Sequence, residues 1–174
     1  TQGVSSAASD VYKRQASMLD RHGIADAYVN EGHALVIANG GGADLEGCVC
    51  GDDCWGVIDL LISENGSDGA IPDLVRRILD DGAYVAWVGY MRPMEDADEY
   101  ADCGGEVDLL RERLQRLDES EDGMVFVDGA LIGTGVEEDL YDPDGYHPSP
   151  EGCAALGEEV AQRVDGAFGL SALG

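Results

Sequence analysis

Ala34-Leu35-Val36-Ile37-Ala38-Asn39-Gly40-Gly41-Gly42 is the stretch on which the reading of this chain turns. An unbroken apolar run closed by glycines reads as a short strand, Ala34 to Ala38, buried on both faces of a parallel sheet. Outward from it, Val57, Ile58, Leu61 and Ile62 keep helical spacing, as do Ile71, Leu74, Val75, Ile78 and Leu79, the second group ending at Gly82. Tyr84 to Val88 is again apolar throughout, and Met124 to Val127 is a third such run. Val107, Leu110, Leu114 and Leu117 mark a helix between those two strands, and Leu156, Val160 and Val164 mark a closing helix. Strands alternating with helices predict an α/β fold, a parallel sheet with right-handed crossovers and helices on both faces. In such a sheet ligands sit beyond the carboxyl ends of the strands.

At 174 residues and 44% hydrophobic content the chain is expected to form one domain with a sizeable core. Its 36 acidic against 10 basic residues give a net charge of −26. Phosphate binding needs clustered Lys or Arg, so this charge argues against nucleic acids and anionic membrane surfaces as partners. No stretch approaches transmembrane length. Cys48, Cys50 and Cys54 are close together, with Cys103 and Cys153 far away. The C-x-C-x3-C spacing lacks a nearby fourth Cys or His, so a loop disulfide is expected rather than a zinc site. That pairing would point to an extracytoplasmic location.

The chemistry is concentrated in Asp144-Gly145-Tyr146-His147-Pro148-Ser149-Pro150-Glu151-Gly152, just ahead of the closing helix. Three residues apart on one tight turn, a carboxylate can hold an imidazole's Nδ1–H, fixing its tautomer and leaving Nε2 to take a proton from a hydroxyl. Ser149 is placed to cap the helix, with Pro150 pre-set for its first position. The plain alternative is a solvated Asp-Pro-Asp-Gly turn beside an exposed histidine. A calcium loop using Asp142 and Asp144 does not continue with the ligand spacing of an EF-hand. His22 and His33 have no partner at functional spacing and are expected to be exposed.

This stretch resembles the last motif of the SGNH, or GDSL-type, serine esterases and lipases, an Asp-x-x-His followed by Pro-Ser and a Gly-bearing helix start. The resemblance covers roughly residues 30 to 168. It implies a flavodoxin-like three-layer fold with strand order 2-1-3-4-5, of which the last three strands are visible here. It implies ester hydrolysis with His147 as general base and acid and Asp144 orienting it. The substrate would be a small-molecule, lipid or carbohydrate ester, with no cofactor and no metal.

The family's Gly-x-Asn-Asp oxyanion block matches Gly41-Gly42-Ala43-Asp44, with alanine where the family has asparagine. An alternative register takes Asn65 of Ser63-Glu64-Asn65 as the donor. Ser67, in Asn65-Gly66-Ser67-Asp68-Gly69, falls one residue short of a Gly-x-Ser-x-Gly elbow and reads as a turn residue. Tyr90, Met91 and Arg92 follow the second strand, where they would either line the cleft or pack beneath it.

The family's Gly-Asp-Ser nucleophile block and its second glycine block have no match after Gln15 and would lie upstream. The first fifteen residues, above all Asp10-Val11-Tyr12-Lys13-Arg14-Gln15, resemble the translation of a transposase adapter. On this reading 1–15 is a non-native segment and 16–174 a partial SGNH domain. The chain by itself is then expected to be inactive. A non-catalytic domain that kept the fold is the competing expectation.

Overall fold

Three short apolar runs come together as the sheet, and amphipathic helices cover it. The computed structural model describes residues 18, 19, 23–45, 50, 54–97 and 100–169. The adapter-like segment 1–15, His22 and Cys48 lie outside the described residues.

A one-turn helix α1 (Ile24–Ala27) leads to strand β1 (Leu35–Ala38), one-turn α2 (Gly42–Leu45), α3 (Trp55–Leu61) and α4 (Ala70–Asp80). Then come β2 (Tyr84–Val88), α5 (Gly104–Ser120), β3 (Met124–Val127) and α6 (Pro150–Phe168). The strands form a parallel sheet in the order β1-β2-β3. Leu35 pairs with Tyr84, and Val88 with Val127. The molecule is thus α/β with an open three-stranded parallel sheet.

Side chains alternate across the sheet, and each set meets its own cover. Val36, Ala38, Val85, Trp87, Met124 and Phe126 face Ile58, Leu61, Ile71, Leu74, Val75, Ile78, Leu110, Leu114 and Leu117 from α3, α4 and α5. Leu35, Ala86 and Val125 face Val160, Val164 and Phe168 of α6. Ile37 shares that second face by alternation, yet it is 57% exposed. Helices therefore lie on both faces, while α6 leaves the β1 side open.

The helices end where the sequence directs. Past α4, Gly82 at φ 89° lets its own N–H reach Leu79 O and the Ala83 N–H reach Ile78 O, a left-handed closing turn that satisfies two end carbonyls. The α6 N-cap is Ser149, whose Oγ accepts the Gly152 N–H at 3.0 Å, with Pro150 in the first turn. α5 begins ahead of its first apolar residue, Val107, and its buried stripe includes Glu106 and, further along, Arg113. Arg113 donates to Asp59 Oδ1 and to Ile62 O, both at 2.6 Å, tying α5 to the end of α3.

The cysteines correct one expectation. Cys50 pairs with Cys103, their Cα atoms 4.9 Å apart, across a sequence separation of 53. Cys54 is also disulfide-bonded and fully buried. Cys153 is a free, exposed thiol.

Candidate active site

Because the strands are parallel and in register, all three end on one edge, and the segments that follow them meet there. The loop from 128 to 149 is laid over the loop after β2. Gly129 packs against the backbone of Gly89 and Tyr90, and Gly133 against Met91. The Arg92 N–H donates to Gly133 O, and the Met94 N–H to Gly145 O. Tyr141 is the peg of this arrangement: its buried hydroxyl donates to Arg92 O at 2.7 Å and accepts the Gly135 N–H at 2.9 Å. A bridge between Tyr141 and Pro148 then brings the returning chain to the start of α6.

The turn carrying the histidine is built on one carboxylate. Asp144 Oδ1 accepts the backbone N–H groups of Tyr146 and His147 at 3.1 and 3.0 Å, and Oδ2 lies 2.7 Å from His147 Nδ1. Gly145, at φ 75°, takes the left-handed corner between them. The side chains of Asp144 and His147 are 38% and 25% exposed, so the pair is half-sheltered but open to a ligand. Burial raises the carboxyl pKa of Asp144, but the hydrogen bonds from the His147 ring and from the His147 and Tyr146 amides outweigh it and hold it below the usual 3.8. An ionised carboxylate only accepts, so Nδ1 is the donor, and in the neutral ring Nε2 then holds the lone pair. This is the protonation state a general base requires.

The expected oxyanion positions occupy the same edge. Gly41, at φ 106°, turns the chain out of β1, and Gly42, Ala43 and Asp44 form the single turn α2. The Gly42 N–H is already given to the Tyr90 hydroxyl at 2.8 Å. A Cβ at Gly42 would stand within 2.9 Å of that ring, which explains the glycine. Burial pushes the Tyr90 phenol up to about 12; the Gly42 N–H lowers it and the Asp44 charge raises it further. Asp44 itself accepts the N–H groups of Met18 and Leu19 at 2.8 and 3.0 Å, a structural task. Ala43 offers no side-chain donor.

The other candidates are committed elsewhere. Asn65 Oδ1 accepts from Ser63 Oγ, Ser67 Oγ and the Ser67 N–H, and Gly66 packs on the backbone of Arg113 and Leu117, well along α5 from its Gly104 start. Asn65 therefore organises its own loop. The described serines, 63, 67, 120 and 149, donate to Asn65, to either Asn65 or Asp68, to Leu117 O and to Asp139 O respectively. Met91 is buried, and Arg92 pairs with Asp108. His33 is exposed. Among the described residues no group of three or more His, Cys, Asp or Glu is placed to hold a metal ion. No described helix is long and apolar enough to cross a membrane.

Two features of the site were not legible as such in the sequence. Asp128 directly follows β3 and is held by Arg111, Gln115 and the Ala130 N–H. Its place as the first polar residue past a buried strand is the signal that could have marked it. The Tyr146 ring lies 4.3 Å from the His147 ring, and Tyr100 lies 4.4 Å from Tyr146. Comparison with protein-family models, with curated proteins and with solved structures gave no match.

Proposed function

We propose that this chain carries the acid–base arm of an SGNH-type ester hydrolase working by acyl transfer. The observation that supports it is the 2.7 Å contact between His147 Nδ1 and Asp144 Oδ2, on a turn at the carboxyl edge of a parallel sheet. Parallel strands flanked by helices on both faces are compatible with the flavodoxin-like layout of that family.

On this reading a serine lying N-terminal to β1, outside the described residues, is the nucleophile. As its oxygen bonds to the acyl carbon, its proton passes to His147 Nε2, and Asp144 stabilises the resulting imidazolium. The proton then goes to the leaving alcohol. Water, deprotonated by the same nitrogen, attacks the acyl-enzyme and releases the acid, and the proton returns to the serine. The substrate is an ester of a small molecule, lipid or carbohydrate. The Cys50–Cys103 bridge favours an oxidising, extracytoplasmic setting.

A second reading, a non-catalytic domain on the same fold, rests on the oxyanion block. Ala43 supplies no donor and Gly42 spends its N–H on Tyr90. Loss of one oxyanion donor lowers rates by roughly a hundredfold or more. Hydrolysis of p-nitrophenyl acetate separates the two. The 174-residue chain is expected to be inert, and the chain preceded by its natural upstream sequence active, with that activity lost in His147→Ala. Inactivity of both favours the non-catalytic domain; activity of the short chain that depends on His147 overturns the assignment of the nucleophile.

A further inference from the structure

A hydrogen bond at Nδ1 fixes one corner of an imidazole but not its plane, because the torsion that turns the ring is broad and weakly preferred. At His147 a second restraint is present. The Tyr146 ring stands against the imidazole with centroids 4.3 Å apart and planes inclined by 40°. Tyr146 is itself backed by Tyr100, at 4.4 Å and 48°. Tyr100 is not a loose neighbour: it immediately precedes the turn Ala101–Cys103, and Cys103 is bridged to Cys50. From below, Gly145 rests on Ala97, where an added Cβ would come within 3.0 Å of the alanine methyl.

We propose that Tyr146 is a positioning residue for His147, its ring setting the imidazole plane while Asp144 sets the tautomer, and that Tyr100 acts through Tyr146 as the backstop. This rests on the hydrolase reading only for its catalytic meaning. The flat face, not the phenol hydroxyl, performs the task, since rings with centroids 4.3 and 4.4 Å apart are in direct contact, just closer than the roughly 4.5–7 Å usual for aromatic pairs. Phenylalanine therefore substitutes at either position, and a non-planar side chain does not.

The test reads the ring and not the reaction. In the 174-residue protein labelled with 15N-histidine, the His147 Nδ1–H gives a downfield proton resonance, assigned by its absence in His147→Gln. Tyr146→Phe retains that resonance. Tyr146→Ala loses it to exchange broadening, with the helical circular-dichroism signal and thermal midpoint still those of a folded protein. Tyr100→Ala weakens it and abolishes the nuclear Overhauser contact between the ring protons of Tyr146 and those of His147. If Tyr146→Ala fails to fold, Tyr146→Leu, which keeps bulk but not planarity, takes its place. A resonance unchanged in the folded alanine or leucine variant overturns the proposal. Absence of esterase activity in the longer protein would overturn the hydrolase reading while leaving this result standing, so the two failures are told apart.

Discussion

Arg163 of α6 donates to the backbone carbonyl of Phe126 in β3 at 3.0 Å. The Asp118 carboxyl of α5 lies by the same residue: burial raises its pKa, and the Phe126 backbone and the Arg163 charge lower it. Two charged side chains from opposite faces thus occupy the outer edge of β3, where another strand would otherwise pair. On the other edge, β1 pairs among the described residues only with β2, and Ile37 is largely exposed. Open edges of this kind recruit other strands.

Arg163→Ala is expected to lower stability by about 1 kcal/mol, the net worth of one hydrogen bond. Ile37→Lys, at an exposed position, should leave stability within about 0.5 kcal/mol. It should nevertheless suppress concentration-dependent association, because a lysine on an edge strand opposes strand addition. Chemical denaturation and light scattering measure the two effects, and equal association of wild type and Ile37→Lys would show that β1 is not the sticky edge.

Acid should weaken the His147 turn. The folded-state pKa of Asp144 is depressed, so its contribution to stability is present above the unfolded value, near 3.9, and fades as pH falls through the folded value. A 13C titration of the Asp144 carboxyl should give a midpoint below 3.8, moving upward in His147→Ala. A midpoint insensitive to that substitution would mean the backbone amides alone hold the carboxylate down.

Gly152→Ala sets a local preference against a packing limit. Alanine favours a helix interior over glycine by about 1 kcal/mol. At Gly152, however, a Cβ would stand 2.2 Å from Leu140 O, a backbone atom anchored by the Ser149 N–H. Overpacking of this kind costs about 1–3 kcal/mol, so the variant should be destabilised despite its better propensity, with a lower thermal midpoint.

Cys103→Ser removes a bridge spanning 53 residues of sequence. In the chain-entropy account a loop of that size is worth about 4 kcal/mol as an upper figure. Urea unfolding of the oxidised wild type and of oxidised Cys103→Ser should differ by up to that amount, and full reduction, which also opens the Cys54 disulfide, should lower stability further.

What the sequence displayed and what it hid divide along chain distance. β2 and β3 were legible to the residue because Tyr84–Val88 and Met124–Val127 are apolar runs, the first ended by Gly89 and the second set between Gly123 and Asp128. β1 begins at Leu35, one residue late, since Ala34 takes part only through its carbonyl, which accepts the Tyr84 N–H. The start of α5 was hidden by Glu106, whose charge conceals that it belongs to the buried stripe. The Asp144–His147 contact was legible because three residues on a turn leave little freedom. The use of the Gly42 N–H by Tyr90, 48 residues away, and the bridge from Cys50 to Cys103 were not, because no local pattern encodes a partner at that range.

That bridge also shapes how the molecule can assemble. It closes a covalent ring that contains α3, α4 and the central strand β2, while β1 and β3 lie outside it on either arm. Once the ring is closed, the chain path between β1 and its partner is shortened through Cys50 and Cys103. Closing shorter loops before native contacts form speeds folding of non-local sheets. The oxidised chain should therefore refold faster than the reduced one, with the middle strand held ready and the two arms docking onto it from opposite sides.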